Sequence, residues 1–121
     1  MTRSAPTRAV LFDLDNTLIL EDDAARAAVR AAAHVAHERA GVDEKRLAKA
    51  AVDQAERVWE TAPFHARADE FGIWWGEALW GEFAGEGELL RELRAFVPGF
   101  RDAVWRGALA GVGHDDAALA A

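Results

Sequence analysis

Cysteine is absent from this 121-residue chain. Its absence excludes disulfides, thiolate zinc sites and cysteine nucleophiles, and leaves the redox compartment undetermined. Lysine is scarce: Lys45 and Lys49 are the only two, so the basic complement is nearly all arginine, and it is scattered along the chain. Fourteen Lys and Arg stand against 21 Asp and Glu, a formal net charge of −7. An acidic chain without a clustered basic face is poorly suited to grip nucleic acid or an anionic membrane. No apolar run approaches the roughly 18 residues of a membrane span. The N-terminal Met1–Arg8 segment is basic, but too few apolar residues separate it from Asp13 to form a secretory h-region. The expectation is a cytoplasmic protein of one compact domain at most.

What is present is mainly alanine. The hydrophobic fraction is 51%, yet 28 of those residues are alanine, which favours helix and buries little area. Five Trp and six Phe are among the larger packing groups. Residues 1–8 read as a disordered lead-in. Ala9-Val10-Leu11-Phe12 is a short continuous apolar run without alternation, the pattern of a strand buried on both faces of a parallel sheet. Leu18-Ile19-Leu20 is a second short apolar stretch, after which residues 21–121 read as helical.

Within that region the punctuation is local. Glu21-Asp22-Asp23 suits the positive end of a helix over Ala24 to Arg39, which Gly41 closes. Asp43 caps a second helix reaching about Thr61, with Leu47, Ala51, Ala55, Val58 and Trp59 at helical spacing. Pro63 breaks it. Phe71, Trp74, Trp75, Ala78 and Leu79 form the stripe of a third helix. Gly85-Glu86-Gly87 is a break, Glu88 to Phe96 a short helix, and Pro98 the start of another reaching about Ala110. Asp115 or Asp116 caps a last segment. A lone buried strand is not self-sufficient, because its donors and acceptors need neighbours. Either residues 9–12 are not a strand, or the chain is part of something larger.

The specific chemical signal is Asp13-Leu14-Asp15-Asn16-Thr17. Two carboxylates two residues apart, just past the C-terminal end of a strand, lie where ligands bind in open α/β sheets. Paired hard oxygen ligands suit Mg²⁺ bound with waters and a substrate phosphate. A carboxylate beside Mg²⁺ can attack phosphorus, and a second can protonate the leaving oxygen and then activate water. A calcium EF-hand is excluded, because the position that must be glycine is Leu18.

These residues resemble the first motif of the haloacid dehalogenase (HAD) superfamily, an apolar strand followed by Asp-x-Asp-x-Thr. The resemblance implies an α/β Rossmannoid fold class, here carried by a mostly α-helical chain. It implies that Asp13 is the nucleophile and Asp15 the general acid/base. Asp13 and Asp15 would hold Mg²⁺, the latter through its backbone carbonyl, and Thr17 would steady the substrate-binding loop. A carboxylate at position 15 points to the phosphatase branch, whose substrate would be a small phosphorylated metabolite. Residues 9–20 would then be the first strand and motif loop of the core, and 21–121 a helical cap of the family type. The family also needs a phosphate-binding Ser or Thr, a Lys or Arg, and distal acids, none of which stands in context. The chain is therefore expected to be the N-terminal portion of such a hydrolase, a fragment with little or no turnover of its own.

Other polar and aromatic residues read as structural. His34, His37 and Glu38 lack the further histidine of a zincin motif, since position 41 is Gly, and read as helix surface. His65 reads as a loop residue and His114 as a turn residue. Trp74, Trp75 and Trp80 read as interhelical packing. Arg67, Arg91, Arg94, Arg101 and Arg106 read as solvated helix faces. A reading of a different class is a helical binding or dimerisation module that retains a relic motif and pairs through its Trp-rich helix.

Overall fold

The computed structural model describes residues 9–12 and 21–121. Six helices follow one another: α1 Glu21–Ala40, α2 Glu44–Glu60, α3 His65–Glu70, α4 Trp75–Trp80, α5 Glu88–Gly111 and α6 Ala117–Ala120. Among the described residues there is no strand. The α/β expectation is thereby overturned. Ala9-Val10-Leu11-Phe12 has no regular structure, and its large side chains are exposed, Leu11 to 94%. The physical reason is the one that made a lone strand uncomfortable: a strand is stable only against a ladder partner, and the described chain beyond it is helix and loop.

Helix α1 opens with Glu21, Asp22 and Asp23 at its positive end. Its buried residues, Ala25, Val29, Ala33 and Ala36, form a narrow stripe at helical spacing. Three are alanines, so the stripe allows a neighbouring helix close approach. The helix stops at Gly41, whose φ of 66° is the left-handed conformation of a C-terminal cap and whose N–H donates to the His37 carbonyl at 2.8 Å. His37 adds a second tie, its Nδ1 lying 2.8 Å from the Val42 carbonyl oxygen. Asp43 then caps α2 as expected, its carboxylate accepting from the Arg46 N–H at 2.9 Å.

The centre of the bundle is the packing of α2 on α5, with α1 also packed against α2. Helix α2 contributes Leu47, Ala51, Val52, Ala55 and Trp59; α5 contributes Leu93, Val97, Phe100, Val104, Ala108 and Leu109. At one end the aromatics gather. Trp59 meets Phe64, Phe96 and Phe100 edge-on at centroid distances of 6.0, 6.1 and 5.9 Å. Such contacts add to area burial because ring edges and faces carry opposite partial charge.

Two helical expectations need correction. The stripe from Phe71 to Leu79 is not one helix: α3 ends before it and α4 begins within it. Gly72 takes a φ of 71° and Trp74 is extended, so the chain turns between the two short helices and Phe71 stays 72% exposed. Conversely, Glu88–Phe96 and the segment from Pro98 are a single helix, α5. Proline has no N–H to donate and crowds the preceding turn. Here Pro98 lies on the exposed side of α5, while Val97 and Phe100 continue the buried stripe past it. On that side water can satisfy the carbonyl that proline leaves unpaired. Asp116 caps α6, accepting from the N–H groups of Ala118 and Leu119.

Candidate functional site

The described structure resumes at the first turn of α1, after the sequence motif. Asp13, Asp15 and Thr17 lie outside the described residues; Phe12 before them and Glu21 after them are the nearest positions with a structural account. The expected nucleophile, acid/base and metal ligands are therefore bounded by an exposed apolar run on one side and by α1 on the other. Among the described residues no group of three His, Asp or Glu side chains could hold a metal ion. For a hard divalent cation, the paired carboxylates of the motif remain the suitable donor set by chemistry.

The first half of α1 carries a groove of about 350 Å³ shared with α2. Arg26 and Arg30 stand one turn apart on α1, Lys49 and Asp53 one turn apart on α2, and Val29 and Val52 form part of the floor. The charges are mostly matched. Lys49 Nζ donates to Asp53 at 2.5 Å. Arg26 reaches Glu56 at 3.8 Å, and its guanidinium lies 6.0 Å from the Trp75 ring centroid. Arg30 has no ion pair among the described residues. An arginine on a helix surface gives no sequence signal of being unpaired, because the answer depends on which side chains the neighbouring helix presents.

The histidines do structural work here. His34 sits between two carboxylates, 3.2 Å from Glu44 and 3.7 Å from Glu38. The hydrogen bond and charge of Glu44, then the charge of Glu38, hold its pKa above the ordinary 6.5. His37 bridges the turn between α1 and α2, as described above. His65 meets the Trp59 ring edge-on at 6.4 Å.

The arginines expected to be solvated faces divide. Arg106 and Arg67 pair with Asp102 and with Glu92 and Glu88 on the surface, which fits that expectation. Arg94 and Arg101 do something else. Arg101 Nε donates to the Ala78 carbonyl at 3.0 Å and its Nη2 to the Gly81 carbonyl at 2.9 Å, closing the C-terminal end of α4. Arg94 Nη1 donates to the carbonyls of Phe83 at 2.6 Å and Gly85 at 2.9 Å. Phe83 has a φ of 51°, an unfavourable conformation for a bulky residue, and the Arg94 bond helps to hold it there. The two cations thus shape the 81–87 loop from α5.

Of the three tryptophans expected to pack between helices, Trp75 is buried, Trp74 half-buried, and Trp80 49% exposed. Among the described residues no helix is long and apolar enough to cross a membrane. Comparison of the chain with protein-family models, with curated proteins and with solved structures finds no match.

Proposed function

We propose that the chain carries the catalytic loop and helical cap of a Mg²⁺-dependent phosphomonoester hydrolase of HAD type. The observation that carries the reading is a juxtaposition: Asp13-Leu14-Asp15-Asn16-Thr17 precedes, by three residues, a helix that opens a bundle of α1 to α6. The all-helical character of 21–121 agrees with a cap and makes no claim on a sheet.

The chemistry follows from two carboxylates with different tasks. An oxygen of Asp13 attacks phosphorus, and the bond from phosphorus to the ester oxygen breaks. Asp15 gives its proton to that oxygen, releasing the alcohol. Water then attacks the phospho-aspartate; Asp15 takes its proton, and inorganic phosphate leaves with Asp13 restored. Asp13 and the backbone carbonyl of Asp15 would hold Mg²⁺, which when bound offsets negative charge on the phosphoryl oxygens. Thr17 steadies the loop. The substrate class is a small phosphorylated metabolite, and the setting is cytoplasmic. The phosphate-holding hydroxyl, the cationic group and the distal acids are assigned to residues outside these 121.

A heteronuclear NMR titration with MgCl₂ tests the reading. Shifts confined to residues 13–17, and lost in Asp13→Asn, are expected; no Mg²⁺ response in that loop would overturn it. In parallel, little or no hydrolysis of p-nitrophenyl phosphate is expected. Mg²⁺-dependent turnover abolished by Asp13→Asn would overturn the assignment of the remaining groups elsewhere.

The second reading, a non-catalytic module that dimerises through its Trp-rich helix, draws on Phe71 and Trp80, large apolar side chains exposed to 72% and 49% at either side of α4. Sedimentation that shifts with concentration, and ceases to shift in Trp80→Ser, would favour it; a monomer at all concentrations would count against it.

A further inference from the structure

Negative charge is unevenly placed along the chain. Residues 69–88 carry Asp69, Glu70, Glu77, Glu82, Glu86 and Glu88 and no Lys, Arg or His. All 14 Lys and Arg lie outside that stretch, where the two signs nearly balance. Its two ends meet at an open groove of about 330 Å³, lined by Phe71 and Ile73 from the turn after α3, Glu86 from the loop before α5, and Glu88, Leu89 and Leu90 from the start of α5. Phe71 is 72% exposed, and Ile73, Leu89 and Leu90 are only half-buried, so this apolar surface can still receive a side chain.

Local structure accounts for some of these acids and not for others. Glu86 and Glu88 suit the positive end of α5. Asp69 and Glu70 stand in the last turn of α3, the end that disfavours negative charge, and directly precede Phe71. Asp69, Glu70 and Glu86 have no ion pair among the described residues. Arg67 on α3 is engaged with Glu92 and, at 3.9 Å, with Glu88, and Arg91 does not line the groove.

The sign of the rim selects the occupant. A second copy docked about a two-fold axis would bring the acidic rim against itself. An anionic membrane or a nucleic acid would meet the same repulsion. A basic segment with an apolar anchor satisfies both parts, its anchor in the groove and its cations on the carboxylates, and such complementarity also steers and aligns partners.

We propose that this groove docks a basic amphipathic segment of a partner protein, with an apolar side chain among Phe71, Ile73, Leu89 and Leu90 and flanking Lys or Arg on Asp69, Glu70 and Glu86. The site is separate from the Asp13–Thr17 loop and does not depend on the hydrolase reading.

Titration with the capped peptide Lys-Lys-Leu-Phe-Lys-Lys tests it, by calorimetry and heteronuclear NMR. The expected result is saturable one-to-one binding, with shifts centred on Phe71, Ile73, Leu89 and Leu90, weakened by added salt. Glu-Glu-Leu-Phe-Glu-Glu and Lys-Lys-Ser-Ser-Lys-Lys each bind at least tenfold less tightly. Phe71→Ser, at a largely exposed position, weakens binding at least fivefold while circular dichroism confirms the helices. The double variant Glu70→Gln, Glu86→Gln weakens it similarly and lessens its salt dependence. Unsaturable binding, shifts outside the groove, equal affinity for the Ser-Ser peptide, or equal affinity in both variants would overturn the proposal. So would self-association that Phe71→Ser abolishes, which assigns the groove to a second copy.

Discussion

Gln54 on α2 lies across the backbone of Gly107 on α5, so close that a Cβ at position 107 would stand 2.4 Å from the Gln54 Nε2. The pair lies where the two central helices of the bundle meet. Glycine normally weakens a helix interior by about 1 kcal/mol relative to alanine. Here it makes room for a side chain of the neighbouring helix. Gly107→Ala alone is therefore expected to gain less than this, because the flexible end of Gln54 must first swing aside. In a Gln54→Ala background the same change should stabilise by about 1 kcal/mol, the propensity gain without the clash. Urea unfolding of the four proteins in a double-mutant cycle checks the difference between the two backgrounds.

Arg101 predicts a local effect. It closes the last carbonyls of α4 through two charge-assisted hydrogen bonds from one planar fork. Arg101→Met should cost about 1–3 kcal/mol and raise hydrogen exchange in α4 and the 81–87 loop, while leaving α1 and α2 protected. Arg101→Lys should rescue little, since a single ammonium does not reproduce the fork.

Pro98 predicts the opposite sign. It sits in α5 without donating to the turn before it, on the exposed side of the helix. Pro98→Ala restores that donor and removes the ring, and should stabilise by about 1–3 kcal/mol. A rise in thermal midpoint with unchanged helical circular dichroism is the expected reading; a fall would mean that a bend at Pro98 is needed for packing.

His34 gives a pH dependence. Its pKa is raised in the folded protein by Glu44 and Glu38, so the folded state binds the proton more tightly than the unfolded chain. The associated stabilisation is fully present below pH 6.5, the unfolded value, and is lost as pH rises through the raised folded value. The ring is exposed, so the effect should be small and should shrink in high salt. Glu44→Gln should flatten this part of the stability profile between pH 6 and 8, as measured by urea midpoints.

Much of the helical architecture was legible because its signals are local. Asp43 and Asp116 accept from N–H groups two or three residues ahead, Gly41 turns left-handed where the stripe of α1 ends, and the alternation of buried residues in α2 is set by 3.6 residues per turn. The two misread boundaries share a cause. Whether Pro98 breaks a helix, or Trp74 continues one, depends on which face is wet and which is packed, and neither is written in the neighbouring residues.

The candidate site divides in the same way. Asp13-Leu14-Asp15-Asn16-Thr17 was readable as a motif from residue type and spacing, although the structure describes only its flanks. Its expected strand was not borne out for Ala9–Phe12, because a strand needs partners that no local pattern can supply. Sequence by itself determined the alanine-rich helices, their caps and the pairing of acids in the motif, all interactions within a few residues of one another. Tertiary structure alone decided that Arg94 and Arg101 bind carbonyls on another element, and that Arg30 has no ion-pair partner among the described residues. Those outcomes rest on which side chains of distant segments come within hydrogen-bond reach, a distance that only the packed bundle defines.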